Sequence, residues 1–189
     1  SEQSALSYAA KLEEDGFDVY TGGVDAYSTL GWFEDSLLST VLKRADYQLA
    51  GLIFHELAHQ LFYLSGDTTF NESFATAVER EGVRRWLKKS NEPSKIDAAL
   101  LDYDRQRQFV DLVADYRDRF EALYQLDLGD ASMRGRKLEL QQALREEYAV
   151  LKQQWQGYAG YDAWFSKSLN NASLLYTSPS PRDVEEPRM

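Results

Sequence analysis

The sequence predicts an α+β fold that is mainly α-helical, with a small N-terminal β element. Two observations favour helices. Apolar residues recur every three or four positions over most of the 189 residues, and only 4 Pro and 11 Gly interrupt them. A third observation favours a strand, because residues 17–21 alternate between apolar and polar side chains and precede two glycines. With 43% hydrophobic and 13% aromatic residues, the chain is too rich in core formers to be a disordered protein.

Each predicted element is bounded by a residue that ends helices or strands. A helix over 2–15 ends at Gly16, and the strand over 17–21 ends at Gly22-Gly23. The segment 26–33, rich in aromatic and hydroxyl side chains, is a second candidate strand. Four further helices are predicted over 46–64, 71–89, 96–126 and 132–155.

The last two of these helices carry apolar stripes, which are typical of helices that form a core. The predicted core residues are Leu100, Leu101, Phe109, Leu112, Val113, Tyr116, Phe120, Leu123, Leu138, Leu144, Tyr148, Leu151 and Trp155.

The end of the chain differs from the rest in composition. Leu174 to Asp183 resembles the translation of a transposase sequencing adapter, and a Pro/Ser-rich stretch is also typical of a disordered tail. We therefore expect one domain over 1–173 followed by a disordered tail over 174–189, with the natural C-terminus missing.

Charge and cysteine content exclude several functions. The chain carries 31 Asp+Glu against 21 Lys+Arg, a net charge of −10, which argues against nucleic acid or an anionic membrane surface as the main partner. It has no Cys, which excludes disulfides, thiolate metal sites and a cysteine nucleophile. We find no apolar run of about 18 residues and no basic-then-apolar leader, so no membrane span is predicted.

The sequence His55-Glu56-Leu57-Ala58-His59 contains both histidines of the protein, four residues apart within a predicted helix. That spacing places the two imidazoles on one face, where both can bind a single tetrahedral metal ion. Glu56 follows the first histidine, from where its carboxylate can take a proton from a metal-bound water. The alternative is a pair of ordinary polar residues on a helix, which this spacing makes much less frequent by chance.

A third protein ligand is expected, because catalytic zinc has three protein ligands and one open position. Glu72 and Glu79 compete for this role, and their seven-residue separation places them on nearly the same helix face. Glu72 also fits a structural role, since Thr69-Phe70-Asn71-Glu72 matches a capping box in which Glu reaches back to the first amide of the helix.

The segment Asn71-Glu72-Ser73-Phe74-Ala75, with Glu79 four residues later, resembles the Asn-Glu-x-Phe-Ala helix of the gluzincin aminopeptidases. More widely, residues 22–33, the two predicted metal helices and residues 157–172 resemble the bacterial "putative aminopeptidase" family. This resemblance implies a zincin-like fold, Glu72 as the zinc ligand and Glu79 as a group that orients a ligand. The gap from His59 to Glu72 is shorter than in those aminopeptidases, so Glu79 remains an alternative ligand.

Further candidate residues are expected to complete the site. Zinc peptidases usually supply an oxyanion donor, and Tyr158 or Tyr161 could provide it from a glycine-flanked bend. Tyr27 is a third candidate, and its segment could also pair with an extended substrate. Asn171 is a candidate for binding the substrate backbone, although Asn pairs are also common in turns.

The predicted function is zinc-dependent peptide-bond hydrolysis, with one Zn²⁺ per chain held by His55, His59 and Glu72 and with Glu56 as the general base. The label aminopeptidase follows from the resemblance alone, because the family's Gly-x-Met-Glu-Asn amine anchor is missing. An endopeptidase, a zinc-stabilised binding or scaffold domain without turnover, and a metal-free helical interaction module are the alternatives. The resemblance also implies an exported bacterial protein, periplasmic or membrane-anchored, of which this chain is a fragment shortened at both ends.

Overall fold

The computed structural model describes residues 2–21, 42 and 44–176. Within these ranges the chain forms six α-helices and one π-helical turn and contains no β-strand. The α-helices are α1 (Glu2–Glu14), α2 (Asp46–Leu61), α3 (Thr68–Lys89), α4 (Pro93–Tyr124), α5 (Asp130–Gln154) and α6 (Asp162–Phe165), and the π-helical turn spans Ala172–Tyr176.

The prediction of an α+β fold is therefore wrong for the described residues, which are all-α. Residues 17–21 alternate as expected, but they pair with no strand there. Side chains satisfy this segment instead, because Asn170 Nδ2 donates to Val19 O at 2.8 Å and Lys167 Nζ donates to Thr21 O at 2.9 Å. Alternation of apolar and polar residues indicates an extended segment with two different faces. The backbone of such a segment can form hydrogen bonds with side chains in place of a neighbouring strand. The candidate strand over 26–33 lies outside the described residues.

The predicted helices are confirmed, with boundaries that shift by up to three residues. Shifts of three residues occur at the end of α2, at the start of α3 and at the start of α4. Phe62 is already extended, with φ of −150° and ψ of 129°, so α2 ends before the predicted Ser65-Gly66 stop. Asp67 then caps α3, because its carboxylate accepts a hydrogen bond from Phe70 N at 2.9 Å.

The described residues fall into two compact units. Residues 2–21 and 105–176 form one, which we call the aromatic unit, and residues 42 and 44–104 form the other, which we call the α2–α3 unit. The chain passes from the α2–α3 unit to the aromatic unit within α4, between Asp104 and Arg105. The expectation of a single domain over 1–173 stays a prediction.

The core of the aromatic unit is built mainly from large side chains. Tyr148 stacks on Phe165 with ring centroids 3.9 Å apart, and Phe109 stacks on Tyr161 at 4.0 Å. The buried residues of this core are Phe109, Leu112, Val113, Tyr116, Phe120, Leu144, Tyr148, Trp155, Phe165, Leu169 and Leu174. The burial of Leu174 extends the packed part of the chain at least one residue into the segment that the sequence assigns to the tail.

In the α2–α3 unit, α2 packs closely along α3. A Cβ atom at Gly82 would lie 2.7 Å from the ring of Phe54, so this close approach requires glycine. Helices α2 and α3 and the start of α4 share one buried cluster, formed by Val83, Leu87 and Ala99 with the partly buried Tyr47, Phe54, Trp86, Ile96 and Tyr103. The start of α4 also bonds to α2, because Tyr47 Oη donates to Asp102 at 2.7 Å.

The prediction of a core position is wrong for three leucines. Leu100, Leu101 and Leu138 are 58%, 48% and 65% exposed. The face of α4 that is buried at its start contains Ala99, together with the partly buried Ile96 and Tyr103. The small side chain of Ala99 permits close packing on α3, which apolarity alone does not predict.

No described helix combines the length and the apolar character that a membrane crossing needs.

Candidate metal centre

Helix α2 presents both imidazoles on the face that packs on α3. His55 is 1% exposed, and 11% of the His59 side chain is exposed. Their ring centroids lie 4.9 Å apart with an interplanar angle of 79°. A helix repeats every 3.6 residues, so a spacing of four places the rings one turn apart on nearly the same line. The local sequence therefore accounts for the pairing of the histidines.

Helix α3 brings Glu72 to these rings. Glu72 Oε2 lies 3.2 Å from His55 Nε2, and Glu72 Oε1 lies 3.3 Å from His59 Nε2. The alternative role of Glu72 in a capping box is wrong, because the helix begins at Thr68 and the cap is Asp67. Its carboxylate is consequently free of the helix terminus and contacts both imidazoles.

The three side chains can hold a metal ion. One ligand atom from each of His55, His59 and Glu72 lies within 4.8 Å of the others. Two atoms that each bind a tetrahedral ion at about 2.0–2.1 Å stand about 3.3–3.4 Å apart, which is close to the 3.2 and 3.3 Å that separate the two imidazole nitrogens from the two Glu72 oxygens. Two neutral imidazoles and one carboxylate form a donor set that suits zinc and related divalent ions.

The electrostatics of Glu72 agree with a cation-binding role. Burial by itself raises the pKa of this carboxyl, but hydrogen bonds from His55 and His59, with their charges, lower it to about 2. The ionised carboxylate is therefore the form that this environment favours. A metal ion bound at this point would replace the Nε2 protons that donate to this carboxylate.

Glu79 lies behind the first imidazole. Its Oε2 is 3.3 Å from His55 Nδ1, and the residue is 1% exposed. A carboxylate here can accept a hydrogen bond from Nδ1–H, which favours the tautomer whose Nε2 carries a lone pair toward Glu72. Glu79 is thus placed to orient His55, and it does not belong to the group whose ligand atoms converge.

Gly51 provides the space for Glu79. It precedes His55 by one helical turn and is itself buried. A Cβ atom at this position would lie 3.1 Å from Glu79 Oε1 and 3.4 Å from Val83 Cγ2. The sequence analysis missed this residue, although a glycine inside a helix, four residues before a histidine, is the signal that could have found it.

Glu56 is half-buried on α2, directly after His55. Among the described residues no side chain forms a hydrogen bond with its carboxylate. A carboxylate that is not already bonded to a neighbour can exchange a proton with a water molecule, which is what a general base requires.

The remaining candidates belong to the aromatic unit or lie outside the described residues. Tyr158, Tyr161 and Asn171 belong to the aromatic unit. There Tyr158 packs under the Arg105 guanidinium, 4.3 Å from ring centroid to Cζ, and Asn171 Oδ1 accepts from Tyr124 Oη at 2.6 Å. Tyr27 lies outside the described residues. The functional roles of these four residues stay predictions.

Comparison with known proteins gives one result. The family model described as "Putative aminopeptidase" matches residues 1–183 of the chain. No curated protein and no solved structure matches it.

Proposed function

The chain belongs to the "Putative aminopeptidase" family, and from this membership and the geometry of the candidate metal centre we propose that it hydrolyses peptide bonds with one bound Zn²⁺. The observation that carries the proposal is the convergence of His55 Nε2, His59 Nε2 and one Glu72 carboxylate on a single point. Three protein ligands of this type with a fourth position open are typical of catalytic zinc.

A zinc ion bound there supplies a Lewis acid that lowers the pKa of water in the open position toward about 7. The chain's own residues do the rest. Glu56 accepts a proton from the attacking water and returns it to the leaving amine. Glu79 holds the proton of His55 Nδ1 and keeps the imidazole in the orientation that it needs.

Family membership supports a peptide as the substrate. Cleavage at the N-terminal end of that peptide is supported by the family name alone. Because the Gly-x-Met-Glu-Asn amine anchor is missing, endopeptidase activity is the nearest alternative. Peptides with a free N-terminus should be cut faster than the same peptides with an acetylated N-terminus. Equal rates on both would replace the aminopeptidase with an endopeptidase.

The test combines metal analysis with one isosteric substitution. We expect about one zinc per chain in the purified protein, loss of that zinc in His59→Ala, and retention of it in Glu56→Gln. We also expect Glu56→Gln to reduce peptide hydrolysis by about 10²–10⁴-fold, because the amide cannot take the proton from water.

Three results would overturn the proposal or part of it. A folded wild-type chain without zinc would remove the metal centre. Zinc binding without hydrolysis of any peptide in a mixed library would instead indicate the alternative, a zinc-stabilised binding or scaffold domain. A Glu56→Gln protein with full activity would remove the general base.

A further inference from the structure

Asn71 forms a pair of hydrogen bonds with one residue of the connection between α2 and α3. Leu64 N donates to Asn71 Oδ1 at 2.8 Å, and Asn71 Nδ2 donates to Leu64 O at 2.8 Å. Asn71 is 1% exposed, so its amide is shielded from water and forms these hydrogen bonds with the protein. The amide therefore satisfies both backbone polar groups of Leu64 at once.

The connection that Asn71 holds runs from Phe62 to Asp67, and Leu64 in its middle is 45% exposed. Its first end also packs on α3, because the Phe62 ring lies edge-on to the Phe70 ring with centroids 5.7 Å apart. Asp67 N donates to Leu64 O at a longer 3.3 Å. The pair of bonds from Asn71 therefore holds the middle of the connection to α3.

We infer that Asn71 is a positioning residue for the metal centre. It fixes where α3 starts relative to the end of α2, and Glu72 is the next residue along α3. Glu72 contacts the two imidazoles through different oxygens, at 3.2 and 3.3 Å, so its carboxylate depends on the position of that first turn. Binding sites tolerate errors of only about 0.5 Å in ligand placement.

This inference rests on the proposed function, because a positioning role requires a metal to position. The competing view is that Asn71 is only a satisfied buried amide that stabilises the loop. The two views differ in one measurable respect: a loop-stabilising residue changes the unfolding midpoint, whereas a positioning residue changes the affinity and geometry of the metal site in protein that remains folded.

The experiment uses the full 189-residue chain with two substitutions, Asn71→Ala and Asn71→Leu. The second keeps the branching and the number of non-hydrogen side-chain atoms but cannot form the hydrogen bonds. Leu87→Ala is the control, because Leu87 is fully buried on α3 and lies far along the helix from the connection. Zinc affinity is measured by competition with a chelator well below the unfolding midpoint, and the visible spectrum of bound Co²⁺ reports the coordination geometry.

We expect both Asn71 variants to bind zinc about 10–100-fold more weakly than the wild type. Substitution of residues that orient metal ligands typically has an effect of this size. Their Co²⁺ spectra should change. Leu87→Ala should lower the unfolding midpoint but keep the wild-type affinity and spectrum.

Several results would overturn the inference. Wild-type affinity and spectrum in either folded Asn71 variant would do so, as would an equal loss of affinity in Leu87→Ala. Failure of both Asn71 variants to fold, while Leu87→Ala folds, would make Asn71 a folding residue. A wild-type chain that binds no zinc would overturn the proposed function and this inference together, whereas unaffected variants of a zinc-binding wild type would overturn the inference alone.

Discussion

The two units of the molecule bury different kinds of side chain. In the α2–α3 unit, His55, Asn71 and Glu79 are each 1% exposed, whereas Ser173 is the only polar residue buried among the described part of the aromatic unit. Burying polar groups costs free energy unless each finds a partner, so a fold accepts this cost where the groups serve a function. The aromatic unit is built for packing, and the α2–α3 unit gives up part of its apolar interior to hold a polar site.

The largest effect on stability should come from the aromatic unit. Phe120 is fully buried, and Phe120→Ala should lower the free energy of unfolding by about 3–5 kcal/mol, because it removes apolar contacts and leaves a cavity. Urea denaturation measures this change. Leu138→Ala, at a side chain that is 65% exposed in the same unit, should change stability by less than about 0.5 kcal/mol. Equal losses in the two variants would remove the distinction between core and surface on which the comparison rests.

An intermediate effect, on metal binding, should come from Glu79→Gln. The amide oxygen can still accept a hydrogen bond from His55 Nδ1–H but no longer supplies a negative charge, so zinc affinity should fall about 10-fold or more. The stability of the metal-free protein should not fall, because the substitution removes a buried charge. Chelator competition and thermal unfolding measure the two quantities.

The matched control for Glu79 lies on the same helix. Glu81 is exposed and pairs with Arg84 and Arg85, so Glu81→Gln should leave zinc affinity unchanged and alter stability by less than about 1 kcal/mol. A loss of affinity in Glu81→Gln as large as that in Glu79→Gln would indicate a general charge effect and no specific role for Glu79.

The smallest effect should come from a pair of glycines, one in each unit. A Cβ atom at Gly135 in α5 meets nothing within 4 Å, so Gly135→Ala should raise the free energy of unfolding by about 0.5–1 kcal/mol. Gly51→Ala gains the same helix propensity, but its Cβ presses on Glu79 Oε1. We expect Gly51→Ala to be less stable than Gly135→Ala and to bind zinc more weakly than the wild type. Equal stabilisation by the two substitutions, with unchanged zinc affinity, would contradict the role given to Gly51.

Much of this could be predicted from residues close together in the chain. The helices follow from apolar periodicity, and the histidine pair follows from a spacing of four within one helix. The predictions are wrong where contacts between residues far apart in the chain determine the structure. The segment 17–21 has the pattern of a strand, but Asn170 and Lys167 satisfy its backbone instead of a neighbouring strand. Leu100 and Leu101 are apolar, but the contact with α3 selects Ala99 in their place.

The choice between Glu72 and Glu79 shows the same division. Both lie on one helix face, and a family resemblance favoured Glu72, but spacing alone left both open as ligands. In the folded chain Glu72 contacts Nε2 of both histidines, whereas Glu79 contacts the opposite nitrogen of His55, Nδ1. Nothing within three or four residues of either glutamate encodes this difference, since it depends on how α3 lies along α2.

The sequence by itself determined that two imidazoles share one helical turn with Glu56 beside them, because the backbone geometry of a helix converts spacing into direction. Only the tertiary structure decided which carboxylate meets the Nε2 atoms of those rings and which meets Nδ1 of His55. It did so through contacts that join residues far apart in the chain, namely the close approach of α2 and α3 at Gly82 and Gly51 and the hydrogen bonds from Asn71 to Leu64. Such contacts depend on the shapes of the two surfaces and on which residues meet, and a local sequence pattern specifies neither.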